Sequence, residues 1–449
     1  MKVLLVSGNY VKAPYAVYPI GLDYVARAIE DRHQVALLDL NASAALSALA
    51  TALQENPPDL VGLSIRNIDN TDGLDSRGFT GYYGDIVTLV RAHTSAPIVL
   101  GGSGFTIFPE ALMDMLKADF GIIGEGERLA GLLAALENGQ DPATVPGVIL
   151  PGQPAHVPPP MGDPIVRKIN QAPALTDYYL RHGGMLNLQS KRGCPFRCIY
   201  CTYPHIEGHA MRLIDPAEVA ATARALQDAG GRYLFITDSA FNAHTDHSLA
   251  VAEAFRKADL TIPWGAFFAP TRPPEGYFDR LARAGLTHIE FGTEAMTDSV
   301  LAAYRKPFRV ADVYLAHGAA LAAGVHVAHY MLLGGPGDTP DTLAETLSNI
   351  DTLRRSVVFF FCGMRIYPHT ALYRLAVEEQ LIAPEDDLLE PVFYRSPAMD
   401  QEVIQTLVQQ HAGGRVNWVL GGGGVETEDV LARLHERGLV GPLWELLVR

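Results

Sequence analysis

Short apolar runs alternate with helical patterns through the first third of the chain. The apolar runs predict buried strands, and the amphipathic stretches between them predict crossover helices. The predicted strands are 3–7, 34–39, 60–64, 96–101 and 120–123, and the predicted helices lie near 20–31, 44–55, 82–94 and 109–117. Such alternation is typical of a parallel sheet. Residues 1–150 are therefore predicted to form an α/β domain with a doubly wound parallel sheet.

A second series of strands and helices begins after a proline-rich segment. Residues 151–184 contain Pro154, Pro158, Pro159, Pro160, Pro164 and Pro173. This composition favours an extended linker over packed elements. Further strands are predicted at 185–190, 233–237, 264–268, 288–292, 325–333 and 357–366. Six strands separated by helical stretches predict a partial (β/α)6 barrel over residues 185–383.

The last part of the chain, residues 384–449, is predicted to be a small helical region. It is acidic after Pro384 and carries two amphipathic stretches, 402–411 and 426–437, separated by four glycines at 421–424. The pattern fits either a segment that closes the open side of the barrel or one that contacts a partner.

Glycine-rich and polar segments follow the strands of the first predicted sheet. Ligands of doubly wound folds lie beyond the carboxyl ends of the strands, so these segments are candidate binding loops. They are 8–10, 64–70, 101–104 and 124–127. Glycine permits positive φ and close approach of the backbone to a large ligand. The loop 66–79 is long for a connection between strand and helix; it either covers the space between the two domains or is a solvated polar loop.

Three of the four cysteines fall within eight residues, as Cys194, Cys198 and Cys201. Thiolates spaced Cys-x3-Cys-x2-Cys are suited to an iron–sulfur cluster, whereas a zinc site or a disulfide is the alternative. A cubane iron–sulfur cluster has four irons, so three cysteines leave one iron without a cysteine ligand. Open metal positions mark catalytic sites, and the loop is predicted to hold one. Cys362 lies in an apolar run and is predicted to be a buried, inert thiol.

The cysteine motif, with Tyr200 in its aromatic position, resembles the signature of the radical S-adenosylmethionine (SAM) superfamily. The resemblance implies that the free iron binds the amino and carboxylate groups of SAM, and that an electron passed through the cluster splits SAM into methionine and a 5′-deoxyadenosyl radical. It also implies SAM contacts at further strand ends, although the serine and alanine in 237–240 depart from the usual motif. The implied residues are Asp238, Ser239, Glu294, Gly334 and Gly335. Glu294 has an alternative role as a helix cap.

The first domain resembles the cobalamin-binding domain that precedes many radical SAM domains. The resemblance rests on Ser64, the glycines Gly101, Gly102 and Gly104, and the segments 108–110 and 124–127. Cobalamin domains of the methionine-synthase kind supply a cobalt-binding histidine after the first strand, but residues 9–13 read Asn-Tyr-Val-Lys-Ala. This implies cobalamin bound without a protein imidazole, or a domain that has lost its cofactor.

Composition and charge narrow the class of partner. The chain has 449 residues, 48% of them hydrophobic, and a formal net charge of −15, which argues against a nucleic-acid-binding protein because such a protein needs a basic face. The N-terminus reads directly as a strand, and no apolar run reaches membrane-spanning length. A cytoplasmic enzyme with a small-molecule substrate and a reducing partner such as flavodoxin or ferredoxin is therefore expected.

Polar residues near the inner or upper barrel are candidates for substrate contact. They are Tyr203, His205, Glu207, Arg212, Asn242, His329, Tyr330, Arg365, Tyr367 and His369.

The family resemblance implies radical methylation of an unactivated carbon, with methylcobalamin as the methyl donor, in natural-product biosynthesis such as antibiotic assembly. The alternative is cobalamin-independent deoxygenation, with loss of water, of a sugar or aminocyclitol diol of the aminoglycoside type. A non-catalytic cobalamin-binding regulatory protein is a third hypothesis, which the intact cysteine motif disfavours.

Overall fold

A computed structural model describes residues 1–9, 11, 16–43, 46–162, 167, 173–422 and 424–448. Its first sheet has six strands. In spatial order they are Gln34–Asp39, Lys2–Ser7, Leu60–Ser64, Ile98–Gly101, Phe120–Ile122 and Val148–Ile149. The first five are parallel, as predicted, and the last is antiparallel to its neighbour. The strand order changes direction beside Lys2–Ser7, which is where doubly wound folds open a crevice for ligands.

Helices cover both faces of this sheet. They are Ile20–Ile29, Leu40–Ser43, Leu46–Glu55, Thr80–His93, Ser103–Ile107, Pro109–Leu116 and Leu129–Glu137. The α/β prediction is confirmed, and most predicted boundaries lie within two residues of the observed ones. The strand Val148–Ile149 was not predicted, because two residues are too short to show a period. Of the predicted segments, Tyr10, Lys12, Ala13 and residues 44–45 lie outside the described residues, as do Pro164 with the rest of 163–166, residues 168–172 and Gly423.

The second sheet has seven parallel strands. In spatial order they are Trp418–Leu420, Ser356–Cys362, His326–Leu333, Leu286–Glu294, Trp264–Phe268, Tyr233–Ile236 and Met185–Leu188. Six of these are the predicted barrel strands. The seventh comes from the C-terminal region 384–449, where the two predicted helical stretches are observed as Gln401–Ala412 and Gly424–Glu436 and this short strand was not predicted. Its three residues pair with the edge strand Ser356–Cys362, a long-range pairing that the local pattern does not contain.

Helices surround the second sheet and pack chiefly on its outer face. They are Pro216–Asp228, Thr245–Lys257, Tyr277–Arg283, Asp298–Ala303, Val310–Ala322, Pro340–Ile350, Ala371–Glu378, Gln401–Ala412 and Gly424–Glu436. Ala371–Glu378 lies instead beside the cysteine loop, where the N–H of Leu372 donates to the carbonyl of Ile199. Large apolar side chains such as Ile289, Phe291 and Val327 are fully buried beneath the helices of the outer face. Burying a side chain of this size stabilises a fold by about 1.5–3 kcal/mol. This core fixes the strand ends that carry the candidate site.

Two other sequence predictions need correction. Residues 151–184 were predicted to be an extended linker, but they contain the helix Pro173–Arg181. The predicted strand 357–366 is broken at Gly363, where φ is +80°, and its last part is the short strand Met364–Arg365, which pairs with Phe393–Tyr394. Among the described residues, none of the helices is both long enough and apolar enough to cross a membrane.

Candidate functional site

The cysteine loop starts immediately after the short strand Lys191–Arg192, at the carboxyl end of the first barrel strand. Gly193 has φ of +88°, and a side chain there would overlap the carbonyl oxygen of Ala210. Its backbone N–H donates to the Glu207 carboxylate over 2.9 Å, and the N–H of Cys194 donates to Gly208 over 3.1 Å. The backbone that presents the cysteines is thereby fixed before any metal binds.

The three thiols suit an iron–sulfur cluster. Cys194 is buried and the other two are partly buried. Burial raises the pKa of Cys198, and the positive charge of nearby Lys306 offsets part of this increase. Burial also raises the pKa of Cys201, to about 12. Bound metal deprotonates such thiols.

Within the described ranges, no three His, Cys, Asp or Glu side chains converge around a single ion. The ligands of a cubane stand farther apart than those of one ion, because each cysteine binds a different iron.

Asp238 holds the start of the cysteine loop. It is 1% exposed, and its carboxylate accepts hydrogen bonds from the N–H of Ser190 at 2.8 Å and from that residue's hydroxyl. Lys191 donates to the hydroxyl of Ser239 over 3.2 Å. These contacts give Asp238 a structural role, and contact of Asp238 or Ser239 with SAM stays a prediction.

Glu294, Tyr200 and Lys306 form a buried group beside the cysteines. The Tyr200 hydroxyl donates to Glu294 Oε1 over 2.9 Å, and Lys306 Nζ lies 3.1 Å from that hydroxyl and 3.4 Å from the same carboxylate oxygen. The strand has a register shift between Gly292 and Glu294, and Glu294 has φ of +68°. Bulges of this kind re-aim side chains next to active sites.

The alternative role of Glu294 as a helix cap is wrong. The helix Asp298–Ala303 has Thr297 as its N-cap. The carboxylate of Glu294 bonds to Tyr200 and Lys306 instead.

The glycine turn after the fifth barrel strand is shaped by Tyr304. The hydroxyl of Tyr304 accepts a hydrogen bond from the N–H of Gly335 at 3.1 Å and donates to the carbonyl of Leu332 at 3.0 Å. A side chain at Gly335 would overlap the tyrosine ring. Gly334 has φ of +79° and donates its N–H to Asp338 over 2.8 Å. The turn is rigid and leaves a bare backbone at the strand end.

A cavity of about 540 Å³ lies at the carboxyl ends of the first sheet's strands. Ser64, Gly101, Gly102 and Gly104 line it, as do residues of the loop 66–79. Gly102 has φ of +100°, and a β-carbon there would lie 2.6 Å from the carbonyl oxygen of Ile65. These glycines form a cradle of bare backbone that suits a large planar ligand such as a corrin. No histidine is among the described residues that line the cavity.

The opposite wall of this cavity comes from the barrel. The contributing residues are Gln189, Arg192, Thr202, Tyr203, Ile206, Glu207, Thr237 and Tyr367. Sequence reasoning named Tyr203, Glu207 and Tyr367 as candidates but missed the others. Thr202 and Tyr203 directly follow Cys201 in the chain. This position next to the cysteine motif is the sequence feature that could have identified Thr202 as a site residue.

Ion pairs tie the first domain's loop 124–127 to the start of the cysteine loop. Arg192 contacts Glu125 at 2.9 Å and Glu127 at 2.7 Å, and its side chain is 9% exposed. Arg212 pairs with the same Glu125 at 2.5 Å. Arg192 also lies over the ring of Tyr24, 4.7 Å from its centroid. These contacts therefore fix the position of the cysteine loop relative to the cavity.

The loop 66–79 is not a solvated polar loop, so that alternative is wrong. Asp69 is buried and pairs with Arg365 of the barrel at 2.8 Å. The N–H of Gly422 donates to Asp72, and Arg395 donates to the carbonyl of Gly73. The loop covers the junction of the domains, as the first interpretation predicted.

The remaining substrate candidates are dispersed. His329 is buried on the outer face of its strand against His317 and Thr293, and Asn242 bonds to the backbone of Ala269. His205 stacks on His369 with ring centroids 4.3 Å apart. Tyr330 lies on the inner face of the barrel. Cys362 is fully buried and its pKa is raised to about 12 by burial, as expected of an inert thiol.

Two family models match the chain. Residues 188–350 match the radical SAM superfamily, and residues 6–133 match the B12 binding domain. The chain is similar to tryptophan 2-C-methyltransferase of Streptomyces laurentii, with 26% identity over 84% of this chain and 74% of that one. It is also similar to cytidylyl-2-hydroxyethylphosphonate methyltransferase of Streptomyces wedmorensis, with 23% identity over 84% of this chain and 80% of that one.

A solved structure has the same fold. It is the radical SAM methyltransferase TsrM from Kitasatospora setae, with tryptophan substrate and a SAM analogue bound. The TM-score is 0.88 with 24% identity, and the match covers 99% of this chain and 97% of that one. The matched domains imply a 4Fe-4S cluster, SAM and cobalamin as cofactors. The chain therefore carries a radical SAM domain that is preceded by a B12-binding domain.

Proposed function

We propose that this protein is a methyltransferase that moves the methyl group of SAM to a carbon atom of a small-molecule substrate. One observation carries the proposal. The cavity that the glycine cradle lines is closed on its other side by Thr202 and Tyr203, which directly follow the cluster ligand Cys201. The corrin site and the cluster site therefore share one space. The similarity to methyltransferases over 84% of the chain supports the same activity.

The cluster ligands are Cys194, Cys198 and Cys201. When bound, the cluster, SAM and cobalamin supply electron and methyl transfer. Tyr200, Glu294 and Lys306 place a fixed pair of opposite charges beside the cysteines, where the amino and carboxylate groups of SAM require partners of both signs.

Several strand-end residues orient the cofactors in this proposal. Gly334 and Gly335 let the adenosyl part of SAM approach a bare backbone, and Asp238 with Ser239 positions the cysteine loop. Ser64, Gly101, Gly102 and Gly104 hold the corrin and its nucleotide tail. The cavity lining offers no imidazole among the described residues, so we propose that cobalamin would bind here without a protein histidine ligand. Residues of the loop 66–79 that line the same cavity would contact it.

The substrate class, the redox partner and the cellular location are proposed as the sequence predicted them. We propose a small-molecule substrate, a reducing partner such as flavodoxin or ferredoxin, and a cytoplasmic location in a natural-product pathway. The acidic net charge of −15 supports a partner other than nucleic acid.

The experiment is anaerobic reconstitution of the full chain with iron, sulfide and hydroxocobalamin, followed by metal analysis and visible spectroscopy. SAM labelled in its methyl group is then supplied with candidate substrates. The expected result is bound iron and cobalt with transfer of label to carbon. A protein that binds no corrin yet converts SAM to 5′-deoxyadenosine when substrate is present would refute the methyltransferase proposal in favour of the deoxygenation alternative.

A further inference from the structure

The inner face of the second sheet is covered by protein only in part. The C-terminal residues Val440, Trp444 and Leu447 pack against it beside Phe235 and Val357. His326–Leu333 and Ser356–Cys362 are internal strands, yet Tyr330, Leu332, Phe359 and Phe361 are each partly exposed. Residues two apart in a strand share a face, so all four look inward. The residues between them, such as Met331, are fully buried on the outer face. The barrel therefore encloses an open lumen.

The exposed inner surface is largely aromatic. The ring of Tyr330 stacks with that of Phe359, with centroids 5.0 Å apart and planes at 20°, and with that of Phe361 at 6.3 Å and 11°. Phe267 is partly exposed on the strand Trp264–Phe268 and packs edge-on against Phe235. We refer to Phe267, Tyr330, Phe359 and Phe361 as the aromatic lining.

A glycine opens space beside the aromatic lining. Gly292 is the register partner of Tyr330 on the neighbouring strand and is partly exposed. An added β-carbon at Gly292 would lie 3.1 Å from Glu294 Oε1 and within 4 Å of no other atom, so the space beside the tyrosine ring is open up to that carboxylate. Two residues farther along the same strand, Glu294 belongs to the buried group beside the cysteines. The open space thus lies on the route from the lumen to the cluster loop.

The floor of the lumen fixes the orientation of the tyrosine. Glu290 is 2% exposed, and its carboxylate accepts hydrogen bonds from the Tyr330 hydroxyl at 3.0 Å and from Trp444 Nε1 at 3.1 Å. A ring held by both a stack and a hydrogen bond loses little further entropy when a ligand binds. The aromatic lining is a preorganised surface.

We propose that this lumen is the substrate site and that it selects molecules carrying a planar aromatic or heteroaromatic ring, stacked on Tyr330 and Phe361. The proposal rests on the proposed methyltransferase function and names its substrate class. Aromatic rings prefer offset stacks or edge-to-face contacts with one another, whereas a saturated ring is puckered and has no π face. A site that binds by stacking should therefore prefer a flat ring to the saturated ring of the same carbon skeleton. A site that binds only by the hydrophobic effect should not.

The test uses the full chain, reconstituted anaerobically with cluster and cobalamin, and two probes, 2-naphthol and decahydro-2-naphthol. Dissociation constants are measured by ligand-observed nuclear magnetic resonance. The planar probe is expected to bind about tenfold more tightly, the ratio that one stacking contact gives. Equal binding, or tighter binding of the saturated probe, would overturn the proposal.

Variants locate the preference. Phe361→Leu and Tyr330→Leu are each expected to reduce the ratio of the two dissociation constants severalfold. Phe361→Tyr retains a ring and is expected to keep the wild-type ratio. Tyr314→Leu makes the same kind of change on the outer helix Val310–Ala322 and is expected to leave it unchanged. A preference that survives both ring-to-leucine changes would contradict the assignment to this lumen.

Cofactor content and transfer of labelled methyl are followed in the same samples. Intact cofactors with methyl transfer but no ring preference would overturn only the substrate class. Failure to bind cobalamin would overturn the proposed function itself.

Discussion

Arg365 and Asp69 form an ion pair that joins the two domains while both side chains are shielded from water. The guanidinium Nε lies 2.8 Å from the carboxylate, and the two side chains are 3% and 0% exposed. Arg365 also donates to the carbonyls of Ile366 and Leu388. The charges are satisfied on all sides, so the loop 66–79 is fixed against the barrel.

Removing the acid of this pair is expected to destabilise the protein strongly. Asp69→Ala leaves a buried, unpaired guanidinium, a change that costs about 3–5 kcal/mol. The midpoint of urea unfolding should therefore fall. Asp75→Ala in the same loop breaks a pair with Arg77 in which both side chains are more than half exposed, and should change stability by at most about 1 kcal/mol. Equal effects of the two variants would contradict the assignment of Asp69 as an interdomain anchor.

The three loop cysteines are expected to be the only cysteines the cluster needs. Cys198→Ala should abolish the cluster's visible absorption and SAM cleavage after anaerobic reconstitution. Cys362→Ala should retain both, because Cys362 is buried in the core on the outer side of its strand. Iron and sulfide analysis checks the result. Comparable loss of iron in the Cys362 variant would show that the fourth cysteine is a ligand and that no iron position is open.

A single methyl group at Gly102 is expected to block corrin binding. Gly102→Ala places a β-carbon 2.6 Å from the carbonyl oxygen of Ile65, so the cradle must deform. Gly139→Ala is the matched control, because Gly139 also has positive φ but has no atom within 4 Å of an added β-carbon. Bound cobalamin is read from the visible spectrum after gel filtration. Iron content should be normal in both variants, and corrin binding by the Gly102 variant at the wild-type level would contradict the assignment of the cradle.

Glu290 is expected to make stability depend on pH. Burial raises its pKa from 4.5 to about 7, although hydrogen bonds from Trp444 and Tyr330 lower it. Between pH 4.5 and about pH 7, Glu290 keeps its proton in the folded protein but has lost it in the unfolded chain. The free energy of unfolding therefore falls as pH rises through this range. The loss above pH 7 is about 3 kcal/mol. Glu290→Gln does not titrate, so its melting temperature relative to wild type should rise between pH 5 and pH 8. A difference that does not vary with pH would contradict the raised pKa.

Local patterns in the sequence predicted most of the two sheets. The strands Gln34–Asp39, Leu60–Ser64 and Trp264–Phe268 have the predicted bounds, because each contains an uninterrupted run of at least four apolar or glycine residues. The cysteine loop was recognised because three of the four cysteines lie within eight residues. These features depend on neighbours in the chain, which a sequence displays directly.

Features that depend on distant residues were missed. Arg192 precedes the cysteines, but its partners Glu125 and Glu127 lie about 65 residues earlier, and no local pattern pairs them. Glu294 was noticed, but the bulge that turns it toward Tyr200 follows from the register with the next strand. The aromatic lining depends on which face of each strand stays uncovered, and that is a property of the folded sheet as a whole.

The strand Trp418–Leu420 has a consequence for biosynthesis. It covers the outer edge of Ser356–Cys362, and an unpaired edge strand is a template for pairing with another chain. Domains generally fold in order from the N-terminus as the chain is made. The first domain can therefore close early, whereas the growing barrel exposes an open edge until residue 420 has left the ribosome. During the interval between synthesis of these two strands, the edge of Ser356–Cys362 is open to pairing with another chain.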